Sequence, residues 1–319
     1  MKDCPEPGVY KAVPYSDYAE WDALNISSLL WGLMGDGMTV NMRRLKAFLD
    51  GEIGHKSSDE LRFGRAFHCQ LLEPHLFTDE FVVLDLCEKK VNREQPDGSK
   101  KQEPCGNAAK YMTADGSPRC GLKGHKPPKA EELEDYVTPA EREMIRRMRE
   151  AANEHPEVRA IHNRGGSEVC VVADMHGQRC KARLDKFVRS RDGAWIVDIK
   201  TIDPKKLHRD GWSKAIDSHN YHVKAAFYID IVAAVLGRRP EFLWVACGKG
   251  EGFDAAPFAP HPTDILQGRG IYTELLSAYG AATATGKWPG AFPAGSTGGP
   301  EVIARPAYAI SRLKTLYGA

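Results

Sequence analysis

The chain has 319 residues, 42% of them hydrophobic, and 44 basic side chains against 43 acidic ones give a net charge of +1. That length suits one large domain, and the even balance excludes a surface that is polycationic throughout, so any nucleic-acid contact must come from a local patch. No apolar run reaches about 18 residues, which excludes a transmembrane helix. The polar stretch from Met1 to Tyr10 carries no secretory signal, so a cytoplasmic protein with no membrane partner is expected.

The eight cysteines (Cys4, Cys69, Cys87, Cys105, Cys120, Cys170, Cys180 and Cys247) include no C-x-x-C pair and read as reduced, buried thiols. From Val13 to about Phe81 the apolar spacing is helical. Asn25 or Ser27 is placed to cap a helix starting near Leu29, and Arg43, Arg44, Leu45, Lys46, Phe48 and Leu49 continue an amphipathic pattern. Asp59 to Leu72 reads as another helix, with Leu61, Ala66, Phe67, Leu71 and Leu72 apolar and Pro74 stopping it. Residues 1–87 thus make an N-terminal helical part of a single domain.

Residues 88–130 differ: glycines and prolines are frequent, aliphatic residues are nearly absent, and ten Lys/Arg face five Asp/Glu. This composition predicts a basic, partly disordered inserted loop. The core then occupies 131–319. Thr138-Pro139-Ala140-Glu141 is a helix start, with Thr138 as N-cap and Pro139 at the first position, and the helix should run to about Glu154. Glu168 to Ala173, Arg179 to Arg189 and Ala194 to Lys200 predict an antiparallel three-strand meander turning at His176-Gly177 and Asp192-Gly193. His219 to Leu236 predicts a helix, Phe242 to Cys247 a short strand, Thr263 to Ala282 a last helix, and 286–319 a Gly/Pro-broken tail.

The chemistry-bearing pattern is Leu184-Asp185 followed by Asp198-Ile199-Lys200. On a strand Asp198 and Lys200 share one face while Ile199 points to the other. A hairpin turning near Arg191 to Gly193 brings Asp185 close to Asp198. Two neighbouring carboxylates repel unless a cation neutralises them, and a hard divalent ion such as Mg²⁺ prefers oxygen ligands. With Lys200 beside them, these groups suffice for phosphodiester hydrolysis. Taken alone, D-x-K is more often a surface ion pair on an edge strand, and the hairpin of apolar strands, the placed first acid and the helix directly after are what single it out.

The stretches CKARLDKF, WIVDIKT and NYHVKAAFY resemble RecE-like exonucleases (exonuclease VIII type), phage recombination nucleases of the P-D-(D/E)-x-K superfamily. GVYKAVPYSDY, NISSLL, FGRAFHCQLLEP, VTPAEREMIRRM and the WPG at Trp288 extend the resemblance over most of the chain outside 88–130. It implies an α/β (α+β) nuclease core, a central mixed, mostly antiparallel sheet flanked by helices. Asp185, Asp198, His68 and the Ile199 carbonyl would be metal ligands, and Lys200 the catalytic lysine. The implied activity is Mg²⁺-dependent, ATP-independent degradation of linear double-stranded DNA from 5′ to 3′, with Mn²⁺ able to substitute. It would leave 3′ single strands for a RecT-like annealing protein, and the resemblance implies a ring-shaped homo-oligomer in a bacterial or phage-infected cell. The alternatives are an endonuclease or single-strand exonuclease of the same superfamily, or a decayed nuclease that binds DNA ends as a scaffold. The chain departs from the family at Leu184, where a proline is usual, and at Lys224, which replaces the glutamine of a Q-x-x-x-Y motif ending at Tyr228.

Other candidates carry two readings. His68 is a metal ligand or a core histidine, and Glu168 is a third carboxylate of the site or a solvated strand end. Tyr221, Lys224 and Tyr228 share a helix face that contacts DNA or packs on the sheet, with His222 beside them. Cys105, Cys120 and His125 lack the close pair that structural zinc sites normally show, so zinc is not expected. An iron–sulfur cluster is not expected either, since Cys247 is the sole cysteine after the catalytic helix.

Overall fold

The computed structural model describes residues 2–292, apart from 55–57, 108, 110, 114–115, 127–134, 163, 192 and 251. Most of the expected tail therefore lies outside the described residues. A short strand, β1 (Gly8–Tyr10), leads into α1 (Tyr15–Glu20) and α2 (Ile26–Leu29). Side-chain oxygens satisfy the first free N–H groups of the helices. Asn25, rather than Ser27, accepts from Ser28 N–H at 2.9 Å, and Asn41 accepts from Arg44 N–H at 3.0 Å to start α3 (Met42–Leu49). Ser58 does the same for α4 (Asp59–Leu72), which α5 (Phe77–Glu80) follows. The buried face of α4 runs through Phe63, Ala66, Phe67 and Leu71, while Leu61 is exposed. Arg62 is buried as well. Its guanidinium reaches Glu141 at 2.6 Å and the Tyr136 carbonyl, so α4 is tied to the chain that follows the insert.

The insert leaves and returns at one place, because β2 (Val82–Val83) pairs in parallel with β7 (Tyr136–Val137). Between them lie two hairpins, β3 (Lys90–Glu94) with β4 (Lys100–Pro104) and β5 (Tyr111–Met112) with β6 (Pro118–Arg119). These strands are polar or two residues long, so they carry no alternating apolar signal.

Beyond the insert, α6 (Pro139–Glu154) opens on a full capping box, with Glu141 N–H donating to Thr138 Oγ1 at 3.2 Å and Thr138 N–H to Glu141 Oε2 at 2.8 Å. After α7 (Pro156–His162) come the three long strands β8 (Gly166–Met175), β9 (Gln178–Arg189) and β10 (Ala194–Ile202). Next are α8 (Arg209–Ser218), α9 (Tyr221–Leu236), β11 (Glu241–Gly248), β12 (Ala255–Phe258) and α10 (Pro262–Thr285). The strands form one sheet in the order β1-β8-β9-β10-β11-β12. Every pairing is antiparallel except β10 with β11, which the α8–α9 crossover makes parallel. The α/β architecture with a mixed, mostly antiparallel sheet is the one expected.

Helices cover both faces. On one side α9 packs Val223, Phe227 and Ile231 with Val171, Leu184 and Ile196 of the sheet. On the other, Phe63 and Phe67 of α4 and Ile145 and Met148 of α6 meet Val197, Ile199 and Val245. α9 is apolar around most of its surface because α10 covers its far side. There Arg269 and Tyr272 both bond Asp230, at 2.5 and 2.6 Å. The close crossing needs Gly268, where a Cβ would stand 2.5 Å from the His222 carbonyl oxygen. Among the described residues no helix is long and apolar enough to cross a membrane.

Candidate active site

The site begins where two strands part. β9 and β10 pair from Arg189 with Ala194 to Lys186 with Val197 and no further. Asp185 is the next residue on β9, and its Oδ2 accepts the Ile199 N–H at 2.7 Å, taking the donor that the ended ladder leaves free. Strand alternation then acts as the sequence predicts. Ile199 points into the core with Val197 and Val245, while Asp198 and Lys200 pair on the other face, Nζ to Oδ2 at 2.5 Å. Lys200 Nζ also donates to the Ile199 carbonyl at 3.1 Å. Burial pushes the Asp198 carboxyl pKa up against the pull of Lys200. Burial opposes the Lys200 charge too, but Asp198 and Asp185 outweigh it and raise its pKa, so the ammonium stays protonated.

Glu168 lies opposite Asp185, between the pairs Ser167 with Lys186 and Val169 with Leu184. Its backbone sits at φ +50°, a left-handed conformation rare for a long side chain and costing roughly 1–3 kcal/mol. The carboxylate is 19% exposed and accepts from Arg183 Nε at 2.5 Å. Burial, then the charge of Asp185, pushes its pKa up to about 7 despite Arg183. From α4, His68 Nδ1 stands 3.6 Å from Asp185 Oδ2. One donor atom each from His68, Glu168 and Asp185 lies within 4.8 Å of the others. Two crowded acids and an imidazole facing one point fit a divalent cation, which would remove their repulsion. Asp198 is not among these three donors, being held by Lys200. The acid that shares the cluster with Asp185 is thus Glu168, whose place only the β8–β9 register reveals.

The face of α9 expected to matter turns toward this centre. Lys200 Nζ lies 5.4 Å from the Tyr221 ring centre and Lys224 Nζ 6.0 Å. Burial, then the charge of Lys200, lowers the Lys224 pKa. Tyr228 is held well above its usual pKa by burial and then by Asp198, with Asp185 and Glu168 adding to the effect. His222 does not join them. It lines a separate cleft of about 650 Å³ with Met34, Asn220 and Glu274.

Beside the centre runs a groove of about 670 Å³ that shares Tyr221 and is lined by Lys206, His208, Trp212, Lys214 and Lys249. Sequence reasoning misses these lysines because they come from three separate segments. On α3, Arg44 donates to the carbonyls of Trp31 and Leu33, and Lys46 pairs with Asp50. In the insert, Cys105, Cys120 and His125 converge, and the fold brings Cys87 to them as a fourth candidate ligand. The missing close pair, which argues against zinc from sequence, is supplied by folding.

A splayed strand pair carrying acid, acid and lysine on a mixed sheet flanked by helices defines a member of the P-D-(D/E)-x-K nuclease superfamily. The chain belongs to the family described as PDDEXK-like domain of unknown function (DUF3799), which matches residues 41–296. The crystal structure of a candidate exonuclease from Eubacterium rectale is similar over 96% of this chain and 97% of that one, at TM-score 0.58 and 14% identity, a likeness of fold. A second crystal structure, of SSO0001, covers 35% of this chain and 48% of that one at 15% identity and TM-score 0.23, too low to bear on the argument. No curated protein sequence matches the chain.

Proposed function

We propose that this protein is a divalent-metal-dependent, ATP-independent exodeoxyribonuclease that degrades linear double-stranded DNA from 5′ to 3′. The 3′ strands it leaves would serve recombination through an annealing protein. The observation that carries this reading is the convergence of Asp185, Asp198 and Lys200 with His68 and Glu168 at the parting of β9 and β10. His68, Glu168 and Asp185, with the Ile199 carbonyl, would hold Mg²⁺, or Mn²⁺ in its place. When bound, the ion supplies charge neutralisation and Lewis-acid polarisation of the phosphate.

The chain's own groups do the rest. Asp198 fixes the Lys200 ammonium, which remains charged and therefore acts as a donor to the phosphate oxygens as negative charge builds there. Water adds to phosphorus, the bridging P–O bond breaks, and the leaving oxygen takes a proton. Lys224 adds a second half-buried cation on the same side. The groove of Lys206, Lys214 and Lys249 with Trp212 and Tyr221 offers a path for the backbone and stacking surfaces for bases. Polarity and a ring-shaped oligomer rest on the family resemblance alone, and action from DNA ends rests on it and on the name given to the Eubacterium rectale structure.

The test is digestion of end-labelled linear duplex with Mg²⁺, beside the same duplex circularised. Early release of 5′-labelled nucleotides from linear DNA alone supports the reading. Cleavage of circles would make the protein an endonuclease, preference for single strands would make it a single-strand exonuclease, and end binding without release under Mg²⁺ or Mn²⁺ would leave a scaffold.

A further inference from the structure

We propose that Cys87, Cys105, Cys120 and His125 bind one zinc ion that holds the insert folded. The spacing of the donor atoms is the first argument. Cys105 Sγ and Cys120 Sγ lie 3.9 Å apart, Cys87 Sγ lies 3.7 Å from His125 Nδ1, and Cys120 Sγ lies 3.3 Å from the same nitrogen. Zn–S bonds of about 2.3 Å and Zn–N bonds of about 2.0–2.1 Å at tetrahedral angles set donors about 3.8 Å (S to S) and 3.6 Å (S to N) apart. These three separations match the edges of a tetrahedron that one ion would fill, and all four donor atoms lie within 4.8 Å of one another. A disulfide requires sulfurs at about 2.05 Å, so Cys105 and Cys120 are not bonded to each other. A multi-iron cluster is several atoms across and would hold its ligands farther apart.

The surroundings are the second argument. Three buried cysteines form a separate small core against which only Val91 packs among the described residues. Two-stranded hairpins are marginal alone, and segments this poor in apolar side chains are held by metals or disulfides. The backbone amides of Cys120 and Lys89 favour a thiolate at Cys87, and that of Leu122 favours one at Cys120. Such donors satisfy a thiolate and orient it for a metal. Three thiolates and a neutral imidazole around Zn²⁺ leave one negative charge, which the basic surplus of the insert offsets. Arg93 donates to the Cys105 carbonyl at 2.8 Å. Each thiol gives its proton to solvent as the ion binds. Soft donors from three buried sulfurs select zinc here, in contrast to the oxygen donors of the sheet.

The inference does not depend on the nuclease reading. Its test is the metal content of the full chain, expressed with added zinc, purified in reductant and dialysed. About one zinc per chain is expected. It should persist in an Asp185→Ala/Asp198→Ala variant and be lost from Cys105→Ser/Cys120→Ser. Wild-type protein stripped of metal and refolded with Co²⁺ should show a thiolate-to-metal charge-transfer band and the visible bands of a tetrahedral site. Substoichiometric zinc with no such cobalt bands overturns the proposal, as does recovery of a Cys105–Cys120 disulfide by thiol counting on the native protein.

Discussion

The cluster on the sheet and the cluster in the insert differ in donor atoms, in exposure and in the scaffold that carries them. His68, Glu168 and Asp185 are half-buried, mostly oxygen donors, and stand on α4, β8 and β9, elements fixed by two large apolar cores. Cys87, Cys105 and Cys120 are buried sulfurs in a segment held by two small clusters, their own with Val91 and one of Leu84, Ala109, Tyr136 and Met112. An open oxygen site can admit a substrate phosphate and exchange its ion. A closed sulfur site has no free position and serves only to fold. The same chain thus separates two uses of a cation by burial and donor type.

The largest effect should come from Asp198→Ala, which removes the partner of a half-buried ammonium at the centre. Cleavage should fall about 10³-fold with DNA binding retained, measured by end-label release beside a gel-shift titration. A smaller loss, or a change in the insert's metal content, would break the separation of the two regions. Arg62→Ala cuts the tie among α4, the Tyr136 carbonyl and Glu141 and should cost about 2–3 kcal/mol, read as a lower midpoint in urea. If its effect on the Mg²⁺ requirement exceeds its effect on stability, the bridge positions His68 as well. His68→Ala should raise the Mg²⁺ concentration for half-maximal activity by about 10-fold while leaving the rate at saturating metal within a few-fold.

Acid should weaken the oxygen site. Glu168 is pushed up to about 7 from an ordinary carboxylate value, so in the metal-free protein this group favours the fold at low pH and loses that contribution as pH rises through about 7. A bound cation demands the ionised form, so Mg²⁺ affinity should fall as pH drops from about 8 to about 6, checked by Mn²⁺ titration at both values. The smallest change is expected from Lys214→Ala in the groove. DNA binding should weaken evenly across sequences, and the slope of log affinity against log salt should drop by about one.

Features set by local chemistry were legible in the sequence. The Thr138 capping box, the Ser58-started helix and the alternation of Asp198, Ile199 and Lys200 depend on residues a few positions apart, and so does the turn that leads from Asp185 to Asp198. What register and distant pairing decide was not legible. Glu168 stood in the sequence as a third carboxylate or a solvated strand end, and the pairing of β8 with β9 is what puts it opposite Asp185. Cys87 reaches Cys120 only through the folding of two polar hairpins. β1 and β12 are too short to announce themselves, and the groove lysines gather only when α8 crosses over the sheet. His222 stands beside the useful face of α9 in sequence yet opens on another cleft.

The two-residue parallel pair at the root of the insert has a consequence for how the chain is organised. Val82 and Tyr136 are partners on adjacent strands, so departing and returning backbone are separated by one inter-strand spacing, about 4.8 Å. Because the pair is parallel, the connection must cross back over it, for which about a dozen residues suffice without disturbing β8 to β11. The fifty or so residues beyond the neck therefore far exceed what the connection needs, so the segment can be shortened or lengthened without moving the strands that carry Asp185 and Asp198.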